Sequence, residues 1–145
     1  MSFLSSLDIS ASGLTAQRLR MDVISENIAN IDTTRTATGG PYRRRYVIFQ
    51  EQSSKPFSQY LDESIGSTAG SGVYVSQIAE DQSAFTLKYD PTNPDANAEG
   101  YVQMPNVDLT TEMVDMMSAT RSYEANITAV NATKSMAMTA LEIGK

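Results

Sequence analysis

The chain has 145 residues, a net charge of −6 and no Cys, His or Trp. That length supports one ordinary domain, and the missing residues exclude disulfides, thiol and imidazole catalysis and Cys or His metal sites. The charge is uneven, +2 over residues 1–45, −6 over 46–105 and −2 over 106–145, so no broad basic surface is offered to nucleic acid.

No apolar run approaches the roughly 20 residues of a membrane span. The start, MSFLSSLDIS, lacks the basic and apolar regions of a cleaved secretory signal. The first element is an amphipathic helix predicted over residues 3–31. Leu7, Leu14, Met21 and Ile28 recur every seven residues, with Ile24 and Ile31 three residues after the last two, a heptad with polar lapses at Ser10 and Gln17. Gly13 inside it costs about 1 kcal/mol against Ala. With Ser5, Ser6, Ser10, Ala11, Ser12 and Ala16 it suits close helix–helix contact. Asn27 and Asn30 share a face near the helix end. They either terminate the helix, or their amides bond across to the paired helix or a neighbouring subunit and fix register.

Residues 32–41, DTTRTATGGP, break the helix. Strands are predicted over 42–50, 73–78 and 85–89, with a last short one over 101–104. Residues 51–72 read as a loop with a helical turn around Tyr60, Leu61 and Ile65. Residues 90–100, DPTNPDANAEG, are turn chemistry. From Leu109 there is no Pro, and no Gly until Gly144. Leu109, Met113, Met116, Tyr123, Ile127, Val130, Ala137 and Leu141 mark one face of a second helix, interrupted by Thr120 and Lys134. Asp108 suits its N-cap, Glu112 its first turn and Gly144 its stop. Such a helix is about 50 Å long and overhangs a domain of this size. Five of the eight Met residues lie on it, either as core filler or as a surface that fits several partners.

Chemical signals are weak. Aligning Asn93, Asp95 and Asn97 as calcium-loop ligands puts Ala98 where Gly is needed and Met104 where a bidentate Glu belongs, so a self-bonded Asx/Pro turn is the better reading. On a strand Arg44 faces away from Arg43 and Arg45, so the triplet makes no single patch. The acceptor patterns at Asn126 and Asn131 fall in a helix rather than a loop. Asp62–Glu63 and Glu80–Asp81 are adjacent exposed carboxylates with no cleft implied. No catalytic residue, cofactor or metal is expected, and no small-molecule substrate.

The segment VISENIANIDT (residues 23–33) is similar to the N-terminal signature of the bacterial flagellar basal-body rod and hook family, with Asn27, Ala29, Asn30 and Thr33 in its key positions. MVDMMSATRSYEANITAVNATKSM resembles the family's C-terminal helix through Arg121, Tyr123, Asn126 and Asn131. The long break DTTRTATGGPYRRR and the stretch YDPTNPDANAEGYVQMPNVD are most like the C-type proximal rod members. The resemblance implies a structural subunit of the proximal rod, polymerising through its terminal helices into the axial drive shaft. It also implies residence in the basal body and passage through the flagellar type III export apparatus without a cleaved signal. The implied neighbours are copies of itself, other rod subunits, the rod-to-ring adaptor and the membrane ring. The alternatives are another axial flagellar protein or a soluble helical adaptor or export chaperone.

The expected fold is α+β: two long terminal helices pair as a coiled-coil-like core, with a small strand-containing domain inserted between them. The expected divisions are 1–33, 34–105 and 106–145. The expected assembly interface comprises Leu7, Leu14, Met21, Ile24, Asn27, Ile28, Asn30, Met113, Met116, Tyr123, Asn126, Ile127, Val130, Ala137 and Leu141.

Overall fold

The computed structural model describes residues 3–37, 39–52 and 72–143. The expected helical turn near Tyr60, the Asp62–Glu63 pair and the stop at Gly144 lie outside them. The elements are α1 (Phe3–Ala29), β1 (Arg45–Glu51), β2 (Val73–Glu80), β3 (Thr86–Tyr89), β4 (Tyr101–Met104) and α2 (Leu109–Ile143). This is the α+β layout expected, with strands between two long helices.

Helix α1 stops two residues before the predicted end because Asn30 closes it. The Asn30 side chain donates to the Glu26 carbonyl at 2.9 Å, and its oxygen accepts from the Thr33 hydroxyl at 3.2 Å. An amide that competes for backbone groups ends helices in this way. Helix α2 starts where expected: the Asp108 carboxylate accepts from the backbone of Thr110 and Thr111 and from the Thr111 hydroxyl at 2.7 Å.

The helices run antiparallel. Asn27 of α1 meets Glu112 of α2, Arg20 meets Asp115 and Met21 meets Thr120. Between them the backbones come close, because Gly13, Ala16 and Ala119 are small and Ala16 and Ala119 are buried. A Cβ built on Gly13 would stand 3.1 Å from Oδ1 of Asn126. The glycine thus makes room for an asparagine, at the close approach its placement suggested.

Strands β1 and β2 form an antiparallel hairpin, with a register shift between Ile48 and Phe49 that leaves Ser76 as the extra residue. Its hydroxyl donates to the Ile48 carbonyl at 3.2 Å, so the bulge keeps a partner. Strand β1 begins at Arg45, three residues later than predicted. The N–H groups of Arg44 and Arg45 are held by the side chains of Asn106 and Asn27, which replace ladder partners at the strand's entry. Strands β3 and β4 form a second antiparallel hairpin in which Tyr89 pairs with Tyr101, their rings edge to face at 5.3 Å.

The turn between β3 and β4 is closed by its own side chains, as the Asx/Pro reading requires. Asn93 accepts from the N–H of Asp95, and Asn97 accepts from the N–H groups of Glu99 and Tyr101. Asp95 reaches back to the segment after α1, accepting from the Thr34 hydroxyl at 2.8 Å and facing Arg35 at 3.6 Å.

Candidate functional site

Two arrangements stand out: a buried polar junction at one end of the helix pair, and an apolar face along one side of it.

The junction is built on Asn27 and Glu112, both wholly buried. The Asn27 nitrogen donates to the Arg45 carbonyl at 2.8 Å and to Oε2 of Glu112 at 3.0 Å. Its oxygen accepts from the Tyr42 hydroxyl at 3.0 Å and from the Arg45 N–H at 2.9 Å. Every donor and acceptor position of the amide is filled. Oε1 of Glu112 takes the Arg44 Nε at 2.6 Å. Arg44 also reaches Asp115 at 3.3 Å, and Asp115 takes Arg20 of α1 at 3.0 Å. One amide and one carboxylate therefore tie α1, α2 and the entry to β1 together. Burial pushes the Tyr42 phenol above its ordinary value, helped by the negative charge of Glu26.

The basic triplet divides as expected, although Arg43 and Arg44 precede β1. Arg43 lies over the Phe85 ring at 4.3 Å, Arg44 enters the junction, and Arg45 faces Glu26 and Glu80 at 3.5 and 3.7 Å. An open groove of about 340 Å³ beside the junction is lined by Val23, Ile24, Tyr46, Val47 and Phe49 with Arg20, Arg44 and Asp115. Its charges are already paired. Among the described residues no group of three His, Cys, Asp or Glu side chains could hold a metal, and no helix is long and apolar enough to cross a membrane.

The apolar face follows from helical spacing. On α2, residues facing α1 recur at steps of four and three: Glu112, Met116, Ala119, Tyr123, Asn126, Val130, Thr133 and Ala137 are all buried or half-buried. This is the spacing of a helix–helix seam. It includes Met116, Tyr123, Asn126, Val130 and Ala137 of the expected set. Glu112, Ala119 and Thr133 were not in that set, because polarity and small size gave no apolar signal.

Leu109, Met113, Ile127 and Leu141 are 45, 54, 39 and 75 % exposed. Leu109, Met113 and Ile127 lie on a second stripe beside the seam, while Leu141 falls in line with Tyr123 by helical spacing. The α2 periodicity thus resolves into two faces, where the sequence suggested one.

On α1, Ile24 and Asn27 are buried and Asn30 is half-buried, while the heptad line Leu7, Leu14, Met21 and Ile28 is half-buried. At about 100° per residue that line lies opposite Ser12 around α1. The Ser12 hydroxyl accepts from the Val73 N–H at 3.1 Å, so the β1–β2 hairpin occupies the other flank. Thr120 of α2 touches the sulfur of Met21 at 3.6 Å. Stepping seven residues from that contact in opposite directions sets Leu14 level with Ile127, and Ile28 level with Met113. The heptad line and the exposed α2 stripe therefore border one another on the flank away from the hairpin, as a two-helix face that is apolar where Ile28 is level with Met113 and Leu14 with Ile127, and interrupted by Thr120 and Lys134.

Comparison with known proteins places these features in a family. A family profile described as "Flagella basal body rod protein" matches residues 7–35. One described as "Flagellar basal body rod FlgEFG protein C-terminal" matches residues 98–143. The chain is 60% identical over 146 residues to "Flagellar basal-body rod protein FlgC" of Bacillus subtilis, covering 97% of each chain. It is 50% identical over 153 residues to the protein of that name in Borreliella burgdorferi, covering 99% of this chain and 98% of the relative. It is 43% identical over 145 residues to that of Salmonella typhimurium, covering the whole of both.

Proposed function

This chain belongs to the flagellar basal-body rod protein family and is a structural subunit of the rod, and we propose from that premise that it enters the proximal rod by polymerising through its two terminal helices. One observation carries the reading. The exposed stripe of α2 and the half-buried heptad line of α1 form a largely apolar face, interrupted by Thr120 and Lys134, that the described residues leave partly uncovered. Burying a Leu, Ile or Met side chain contributes about 1.5–3 kcal/mol, so a neighbouring helix pair laid on this face gains several such terms. Exposed apolar stripes of this extent mark interaction sites.

The division of labour follows. Residues 1–33 and 106–145 form the inner packing core, and residues 34–105 form an outer layer fixed to it through the Asn27–Glu112 junction. The partners are copies of the chain and other rod subunits, with the rod-to-ring adaptor and membrane ring at the rod base. The subunit leaves the cell through the type III export apparatus. A density map of isolated basal bodies tests the reading: helix density for this chain in the proximal rod, with the α1–α2 face against a neighbour, is the expected result. Density elsewhere in the basal body, or that face left open to solvent, overturns it.

A further inference from the structure

The apolar face carries sulfur. Met113, Met117 and Met138 are 54, 52 and 55 % exposed. At about 100° per residue they fall within the same sector of α2 as Leu109 and Ile127, which also holds Thr120, Glu124, Asn131 and Lys134. Met136 is 63 % exposed but falls on the opposite side of that sector by the same spacing. Met116, on the seam toward α1, is half-buried. The chain contains no Cys, so methionine is its only sulfur, and exposed thioethers are the sites at which a peroxide reacts.

We propose that Met113, Met117 and Met138 are oxidative modification sites whose conversion to the sulfoxide closes the unassembled subunit to incorporation. In the reaction the thioether sulfur attacks one peroxide oxygen and the O–O bond breaks. Sulfur gains that oxygen and loses two electrons, and the other oxygen leaves as water with both protons. The product places a polar S=O group among the apolar side chains of that face. A neighbour docking there must strip water from it without supplying a donor, which opposes packing. Once the face is covered the same sulfurs are shielded, so the modification acts on the free subunit and spares the rod. This rests on the assembly reading above, but the chemistry of the free chain does not.

The test has two arms. Purified full-length chain is treated with hydrogen peroxide and mapped by peptide mass spectrometry. Met113, Met117, Met136 and Met138 are expected to gain one oxygen before Met116; oxidation of Met116 at an equal rate overturns the proposal. In the second arm, strains carry Met117→Gln, a polar mimic of the sulfoxide, Met117→Leu, or Met136→Gln as the exposed off-face control. Loss of rods and motility with Met117→Gln alone is expected. Normal rods with Met117→Gln, or equal loss with Met136→Gln, overturns the proposal. Selective oxidation in the first arm with normal rods in the second places the failure in the assembly face; unselective oxidation with the expected strain phenotypes places it in the sulfur chemistry.

Discussion

The side-chain amide of Asn27 donates to Oε2 of Glu112 at 3.0 Å, and neither residue exposes any surface. The bond joins the last turns of α1 to the first turn of α2. Leucine at position 27 fills similar volume but strands the Arg45 N–H and carbonyl, the Tyr42 hydroxyl and one Glu112 oxygen together. A buried polar group left unpaired costs about 1–3 kcal/mol, so Asn27→Leu is expected to lose on the order of 3 kcal/mol or more. Denaturant unfolding of the purified chain measures this. An unchanged midpoint contradicts the junction and returns Asn27 to the role of a helix terminator.

Gly13 and Asn126 form the second coupled pair. Gly13→Ala gains about 1 kcal/mol of helix propensity but brings a methyl group to 3.1 Å from Oδ1 of Asn126. The Asn126 side chain is held in place by its own bond to the Ser122 carbonyl at 2.9 Å. We expect the single change to be near neutral and the same change in an Asn126→Ala background to stabilise by about 1 kcal/mol. A double-mutant cycle on melting curves separates the two, and strict additivity refutes the contact.

Ile127→Asp addresses assembly without addressing the fold. Ile127 is 39 % exposed on the outer stripe, where a carboxylate stays hydrated in the free chain. The melting transition is expected to move little, corresponding to about 0.5 kcal/mol or less. In the rod the same group is desolvated without a cation and blocks packing. Soluble, folded protein with no motility is the expected outcome; full motility in a strain carrying only this variant refutes the face.

The Asp108 cap gives a pH dependence. Hydrogen bonds from the Thr111 hydroxyl and the Thr110 N–H hold the Asp108 carboxyl below its ordinary value. A carboxyl whose folded value is depressed contributes stability that is present above its unfolded value and lost as pH falls through the folded one. Asp108→Asn keeps an acceptor for the cap but does not titrate. The variant is expected to lose less stability than the native chain between neutral pH and pH about 3. Parallel acid-unfolding curves refute the assignment.

Calcium is expected to do nothing. The Asx oxygens of the 90–100 turn already accept backbone N–H groups, and Asp95 is tied to Thr34 and Arg35. Titration to about 1 mM, the range of weak extracellular sites, should leave the melting temperature fixed. A saturable rise abolished by Asp95→Ala contradicts this.

The sequence by itself determined the two long helices, the strands between them, the Asp108 cap, the self-bonded turn and the family. Each of these rests on local chemistry: apolar periodicity, turn residues in clusters, an N-cap acceptor, and signatures that are contiguous in the chain. Only the tertiary structure decided which face of α2 meets α1. The seam is made of Glu112, Ala119, Asn126 and Thr133 as much as of Met116 and Val130, because close helix approach selects small size and paired polarity, which a hydrophobicity pattern does not register. Leu109, Met113, Ile127 and Leu141 carry the stronger apolar signal and face solvent in the single chain. Asn27 and Asn30 match one local motif and look alike in it. Their roles differ because Glu112, Tyr42 and Arg45 come to Asn27 from distant parts of the chain, while Asn30 finds its partners within one turn.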